Sequence, residues 1–199
     1  MIKFIYIVLF LLTITGLAAR ENDTINFLSR DFHLAISYYG HNIIKPGIKF
    51  SIDYVAKSGK SEKITKKGVN NKFINQFCIN GNTGFIFFER SHYGFFNYYQ
   101  AVYRKIRLNK SKYSSISVGP GFYNSLYSET YEVDENGNVN DINISGRTYF
   151  STVATLGTGR MITGKIFSSW FINTDFMFLF DYNAGVVPYI NVEFGMSFN

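Results

Sequence analysis

Apolar and polar positions alternate with a period of two along most of this chain. Phe32, Leu34, Ile36 and Tyr38 stand against His33, Ala35, Ser37 and Tyr39. Ile48, Phe50, Ile52 and Tyr54 stand against Lys49, Ser51 and Asp53. The last stretch sets Ile190, Val192, Phe194, Met196 and Phe198 against Tyr189, Asn191, Glu193, Gly195 and Ser197. This is the side-chain alternation of a β-strand, and no 3.6-residue periodicity competes with it.

The pattern predicts eight strands, over residues 32–39, 47–55, 73–91, 96–108, 113–128, 146–159, 168–182 and a final one from Pro188. "GHNIIKP", "HYGF", "NKSK" and "NAGVV" supply turns, and "DENGNVND" a loop. The glycines of "NGNTG" suggest a bulge or bend within 73–91; splitting that strand there would raise the count to nine. Pro120 falls in mid-strand, where it removes a ladder hydrogen bond. Phe176, Phe178 and Phe180 form a second clear apolar row.

Alternation alone does not say whether the apolar face meets a protein core or lipid. Composition shifts the balance. Aromatic residues make up 19% of the 199, with 21 Phe and 15 Tyr, yet mean hydropathy is close to zero. A transmembrane barrel fits both facts, because only every second strand residue faces lipid. Residues 1–19, "MIKFIYIVLFLLTITGLAA", have Lys3, an apolar run from Phe4 to Leu12, and small residues at Gly16, Ala18 and Ala19. They form a secretory signal peptide; a membrane anchor is the alternative, though the run is short for one. Residues 20–30 are then a lead-in and 31–199 the barrel. The single cysteine, Cys78, excludes an internal disulfide framework. The net charge of +6 would suit nucleic acid, but export from the cytoplasm removes that partner.

The signal peptide, the alternating strands and the closing "VEFGMSF" resemble the small outer-membrane β-barrel proteins of Gram-negative bacteria. The resemblance implies a closed antiparallel up-and-down transmembrane β-barrel. It also implies outer-membrane lipids and the barrel-insertion machinery as partners, and a monomer. In that family the last strand ends on an aromatic residue; here Phe198 is followed by Asn199.

With eight strands both termini face the periplasm. The basic segments 56–72 and 104–112 then lie on that side, suited to anionic headgroups or cell-wall polymer. Segment 56–72 is long for a periplasmic turn, so either its flanking strands extend beyond the membrane or the strand count is off by one. The acidic loop 128–143 faces outside, where an extracellular ligand could dock. Its Asp134, Glu135 and Asn136 lack the spacing of a calcium loop. The outward rows are Ile190, Val192, Phe194, Met196, Phe198, Phe176, Phe178 and Phe180. The lumen receives Lys49, Asp53, Gln100, Arg104, Asp175, Asp181, Asn191 and Glu193, expected as a self-neutralising plug rather than a conduit.

Catalysis finds little support. Of the three histidines, His92 beside Ser91 is the one base–nucleophile pairing at a turn, and no nucleophile elbow is present. Sparse His and Cys predict no metal site, and no cofactor motif appears. The expected role is non-enzymatic, structural or binding through loops. The alternatives are a lipid-modifying barrel enzyme (acyl hydrolase or transferase) and a soluble lipocalin-like carrier.

Overall fold

The computed structural model describes residues 31–42, 44–64, 70–89, 92–127, 130–133, 139–142, 145–162, 167–182 and 185–198. Residues 1–19, expected as a signal peptide, and 20–30, expected as a lead-in, lie outside the described residues. The strands are β1 Phe32–His41, β2 Gly47–Ile64, β3 Asn70–Phe88, β4 His92–Arg107, β5 Lys112–Tyr127, β6 Thr130–Val133, β7 Val139–Ile142, β8 Ser145–Met161, β9 Phe167–Tyr182 and β10 Gly185–Phe198. A 3-10 turn, Leu108–Lys110, joins β4 to β5. Eight strands close into an antiparallel up-and-down ring; β6 and β7 form a separate hairpin within the β5–β8 connection. The seam runs from Leu34–Phe198 to His41–Asn191. Closure satisfies backbone groups that an open sheet would leave unpaired. Both ends of the barrel chain therefore lie at one end of the ring, the terminal end. The turn Asn42–Pro46 and the β6–β7 hairpin lie at the distal end.

Several local expectations change. The basic stretch 56–72, expected as a connection, is mostly strand: β2 continues to Ile64 and β3 starts at Asn70. This hairpin overshoots β1, whose first pair with β2 is Phe32–Tyr54. The bulge lies here, between Val55 and Lys57, and not at "NGNTG". Gly81 and Gly84 keep unbroken register with both neighbouring strands. A Cβ on Gly84 would run into the Ile48 carbonyl and the Phe96 ring, so this glycine permits close approach rather than a bend. At Pro120 the ladder to β4 lapses between the pairs Tyr98–Gly121 and Ala101–Val118, then resumes in the same register. The missing N–H costs local bonding without moving the strand.

The strands have two unlike faces. Outward positions form an apolar belt with no charged side chain. It covers 32–38 on β1, 48–54 on β2, 77–87 on β3, 93–103 on β4, 116–126 on β5, 150–156 on β8, 170–180 on β9 and 186–198 on β10. Its members are open to the surroundings: Leu34, Tyr99, Ile116 and Phe122 each expose more than half of their surface. Inward positions form three layers. Tyr39, Ile86, Phe96, Tyr123, Met177 and Leu179 belong to an apolar cluster near the distal end. Ile74, Ile106, Tyr113, Met161 and Phe171 form another near the terminal end. Charged and amide side chains fill the space between.

The glycines give a direct test of this packing. Gly84→Val should destabilise the barrel by about 3 kcal/mol, because backbone on the facing strand occupies the space. Gly59→Val, in the overshooting hairpin with no atom within 4 Å of an added Cβ, should change stability by less than about 0.5 kcal/mol. Urea unfolding of both variants in detergent measures the contrast.

Candidate functional site in the barrel lumen

Alternation on β2 turns Lys49 inward, where 3% of its side chain is exposed. Its ammonium has three donors, and three acceptors meet it. Nζ lies 2.7 Å from Glu193 Oε2, 2.8 Å from Tyr98 Oη and 3.4 Å from Asp175 Oδ2. Tyr98 donates its own hydroxyl hydrogen bond to Asp175 Oδ2 at 2.7 Å. Glu193 also accepts from Ser37 Oγ at 2.6 Å and from Asn173 Nδ2 at 2.6 Å. Three strands thus meet the ammonium that β2 supplies, and Ser37 on β1 joins the network through Glu193.

A second group lies toward the terminal end. Arg104 pairs with Asp53, and Asn80 donates to the same carboxylate. Asn82 donates to Asn80 and accepts from Ser51 at 2.8 Å. The Arg104 guanidinium stands 5.3 Å from the centre of the Tyr113 ring. Gln100 donates to Thr155 Oγ1 at 2.9 Å and to the Val153 carbonyl at 3.2 Å. Between the two groups is a cavity of about 60 Å³, touched by Lys49, Asp53, Arg104, Asn173 and Glu193. It has room for a few water molecules. Apolar clusters stand on either side of this layer along the barrel axis.

Lys49, Gln100, Arg104, Asp175, Asn191 and Glu193 are buried in the lumen, and Asp53 is nearly so. Asp181 is not among them. It is exposed, with φ at 59°, where β9 slips against β10 between the pairs Tyr182–Gly185 and Leu179–Val187. The extra residue breaks the alternation, so Tyr182 turns inward and Asp181 outward. Ile190, Val192, Phe194, Met196, Phe198, Phe176, Phe178 and Phe180 occupy outward positions. Cys78 faces inward and is fully buried.

His92 joins an aromatic layer at the distal mouth. Its ring stacks on Phe88 at 4.4 Å, and Nε2 lies 3.2 Å from Tyr123 Oη. His41 packs 4.4 Å from Tyr189, with Nδ1 3.1 Å from Asn191 Oδ1. Asn191 in turn donates to Tyr39 Oη at 3.0 Å. Tyr182 packs 4.6 Å from Tyr149, and the Lys45 ammonium lies 4.6 Å from the centre of the Phe88 ring. Ser91, and Asp134, Glu135 and Asn136 of the acidic loop, lie outside the described residues. No group of three or more metal-ligating side chains occurs among the described residues.

Sequence reasoning missed Tyr98, Ser37, Asn173, Asn80 and Asn82. Parity was the available signal: Tyr98 is two residues before Gln100, and Asn173 two before Asp175. Tyr98 in particular is masked by the many tyrosines that face outward. Comparison with known proteins finds no matching family model and no significantly similar characterised protein.

The shared ammonium predicts an asymmetric response to mutation. Lys49→Met leaves two buried carboxylates without their cation and should cost about 3–5 kcal/mol. Adding Asp175→Asn and Glu193→Gln to Lys49→Met should restore most of that loss. Denaturant midpoints of the single and triple variants decide this.

Proposed function

We propose that this chain is a monomeric, non-enzymatic β-barrel of a Gram-negative outer membrane, with a structural role or a binding role carried by its distal loops. The observation that carries this reading is the outward belt. Eight strands expose apolar side chains around the full circumference, while the lumen buries Lys49, Arg104, Asp175 and Glu193. Water-soluble monomers rarely expose apolar patches beyond a few hundred Å². A bilayer removes the penalty, and the ring strands, at 10–19 residues, meet or exceed the ~9–11 that a tilted crossing needs.

A soluble carrier would need its Phe rows turned around an apolar pocket. Here those rows face away from the lumen, and the cavity is edged by charged side chains. A barrel acyl hydrolase would need a nucleophile beside His92. The sequence neighbour Ser91 lies outside the described residues, and the His92 ring itself stacks on Phe88 in the aromatic mouth. In the membrane reading, the terminal end faces the periplasm and the β5–β8 connection with its β6–β7 hairpin faces outward. That connection joins two long strands paired with each other along their length, so it can vary without disturbing the ring.

Expression with residues 1–199, followed by membrane fractionation and gel mobility before and after boiling, tests this reading. A detergent-extracted band that shifts on boiling is expected; a protein soluble without detergent contradicts it. Phe176→Arg adds a quantitative check. Phe176 pairs with Ile190 near the middle of the belt, so arginine should cost about 2–4 kcal/mol in a bilayer. On a water-exposed barrel the same change should cost almost nothing.

A further inference from the structure

The terminal end carries a row of cations that the ionic layer does not use. Arg107 on β4 pairs in register with Lys112 on β5, and Lys112 pairs with Arg160 on β8. Lys105 lies one outward position nearer the belt, paired with Ser114. Lys112, Arg160 and Lys105 are exposed, and Lys110 of the 3-10 turn is exposed beside them. Like charges directly opposite each other across strands destabilise a sheet. Arg107 is partly held by Asn71 Oδ1 at 2.8 Å, but an amide does not neutralise it.

The row continues into aromatic residues. Arg107 pairs with Phe73 on one side, and Arg160 pairs with Trp170 on the other. Toward the distal end, the same outward columns become Tyr103, Ile116 and Leu156, all in the apolar belt. Cations therefore stand at one level, flanked by aromatics, with exposed apolar columns leading away from them. Among the described residues the distal end shows no such excess: exposed Lys45 and Arg147 are matched by exposed Glu89 and Asp181. On the terminal end the described exposed acids are Asp31 and Glu62, and neither lies on β4, β5 or β8.

We propose that Arg107, Lys112 and Arg160, with Lys105, bind the phosphate of an anionic phospholipid in the terminal-side leaflet, its acyl chains lying along the Tyr103, Ile116 and Leu156 columns. The lipid supplies the counter-charge that no described residue of β4, β5 or β8 gives the row. Headgroup and chains together match a cationic row that joins directly onto an apolar belt. This inference rests on the membrane reading above.

The test compares wild type with Lys112→Gln/Arg160→Gln, refolded into two vesicle types: phosphatidylcholine alone, and phosphatidylcholine with about one-quarter phosphatidylglycerol. In low salt, phosphatidylglycerol should raise the wild-type folding equilibrium constant at least about tenfold. The double variant should fold as well as wild type in phosphatidylcholine and lose most of the increase. An equal increase in both proteins overturns the site, as does no increase in either. If inorganic phosphate with phosphatidylcholine vesicles reproduces the increase, the ligand is free anion and the lipid assignment is overturned. Failure of wild type to insert into either vesicle overturns the membrane reading itself, a result distinct from the others.

Discussion

Lys49 reaches from β2 to Asp175 on β9 and Glu193 on β10, and the interior of the barrel is organised around that contact. An eight-stranded ring has a lumen just wide enough for its own side chains. Every inward residue must therefore find its partner among other inward residues. A charge placed there without an opposite charge would carry a desolvation cost of several kcal/mol. The ammonium meets this demand for two carboxylates at once, and Arg104 does so for Asp53. Because the partners lie two or three strands apart around the ring, the ion pairs also tie together strands that share no ladder. Apolar clusters at both ends of the layer keep its surroundings poor in water, which strengthens the pairing.

The exterior follows from the same alternation. A strand that spends its polar residues on the lumen leaves its apolar ones outside. This barrel has no second sheet or helix among the described ring elements to cover them. The outside must then be matched by its medium, and the match ends abruptly at Lys105, Lys112 and Arg160. Belt and cationic row thus describe two adjoining chemical zones around one wall. A bilayer offers that succession over a few ångströms, from acyl chains to phosphate.

Much of this was legible from alternation. The eight ring strands and the inward residues of β2, β4 and β10 follow from counting by twos, whereas the closed up-and-down order is implied by the resemblance to small outer-membrane barrels. Counting fails where the backbone does not keep its period. Asp181 sits at a slip between β9 and β10, and nothing in "FDYNAG" reveals where the extra residue is taken up. The lysines of 56–72 left the length of β2 and β3 open, since the stretch reads both as a long connection and as strands extended beyond the belt; the structure has the extended strands. Gly81 and Gly84 looked like a bend because a one-dimensional pattern does not show the neighbouring strand pressing against them. The aromatic mouth, where Phe88, His92, Tyr123 and Tyr189 meet, joins residues from separate strands whose relative register only the folded ring supplies.

Trp170 offers the most direct test of the central claim, that the apolar face of this barrel meets lipid. It is the only tryptophan in the chain, it faces outward on β9, and it pairs with Arg160 at the margin of the belt. The measurement is its fluorescence in vesicles containing phospholipids brominated at shallow or deep acyl positions. Strong quenching, greater for the shallow label, is the predicted result. Emission unaffected by either label, from a protein that stays folded in the absence of lipid, would contradict the account.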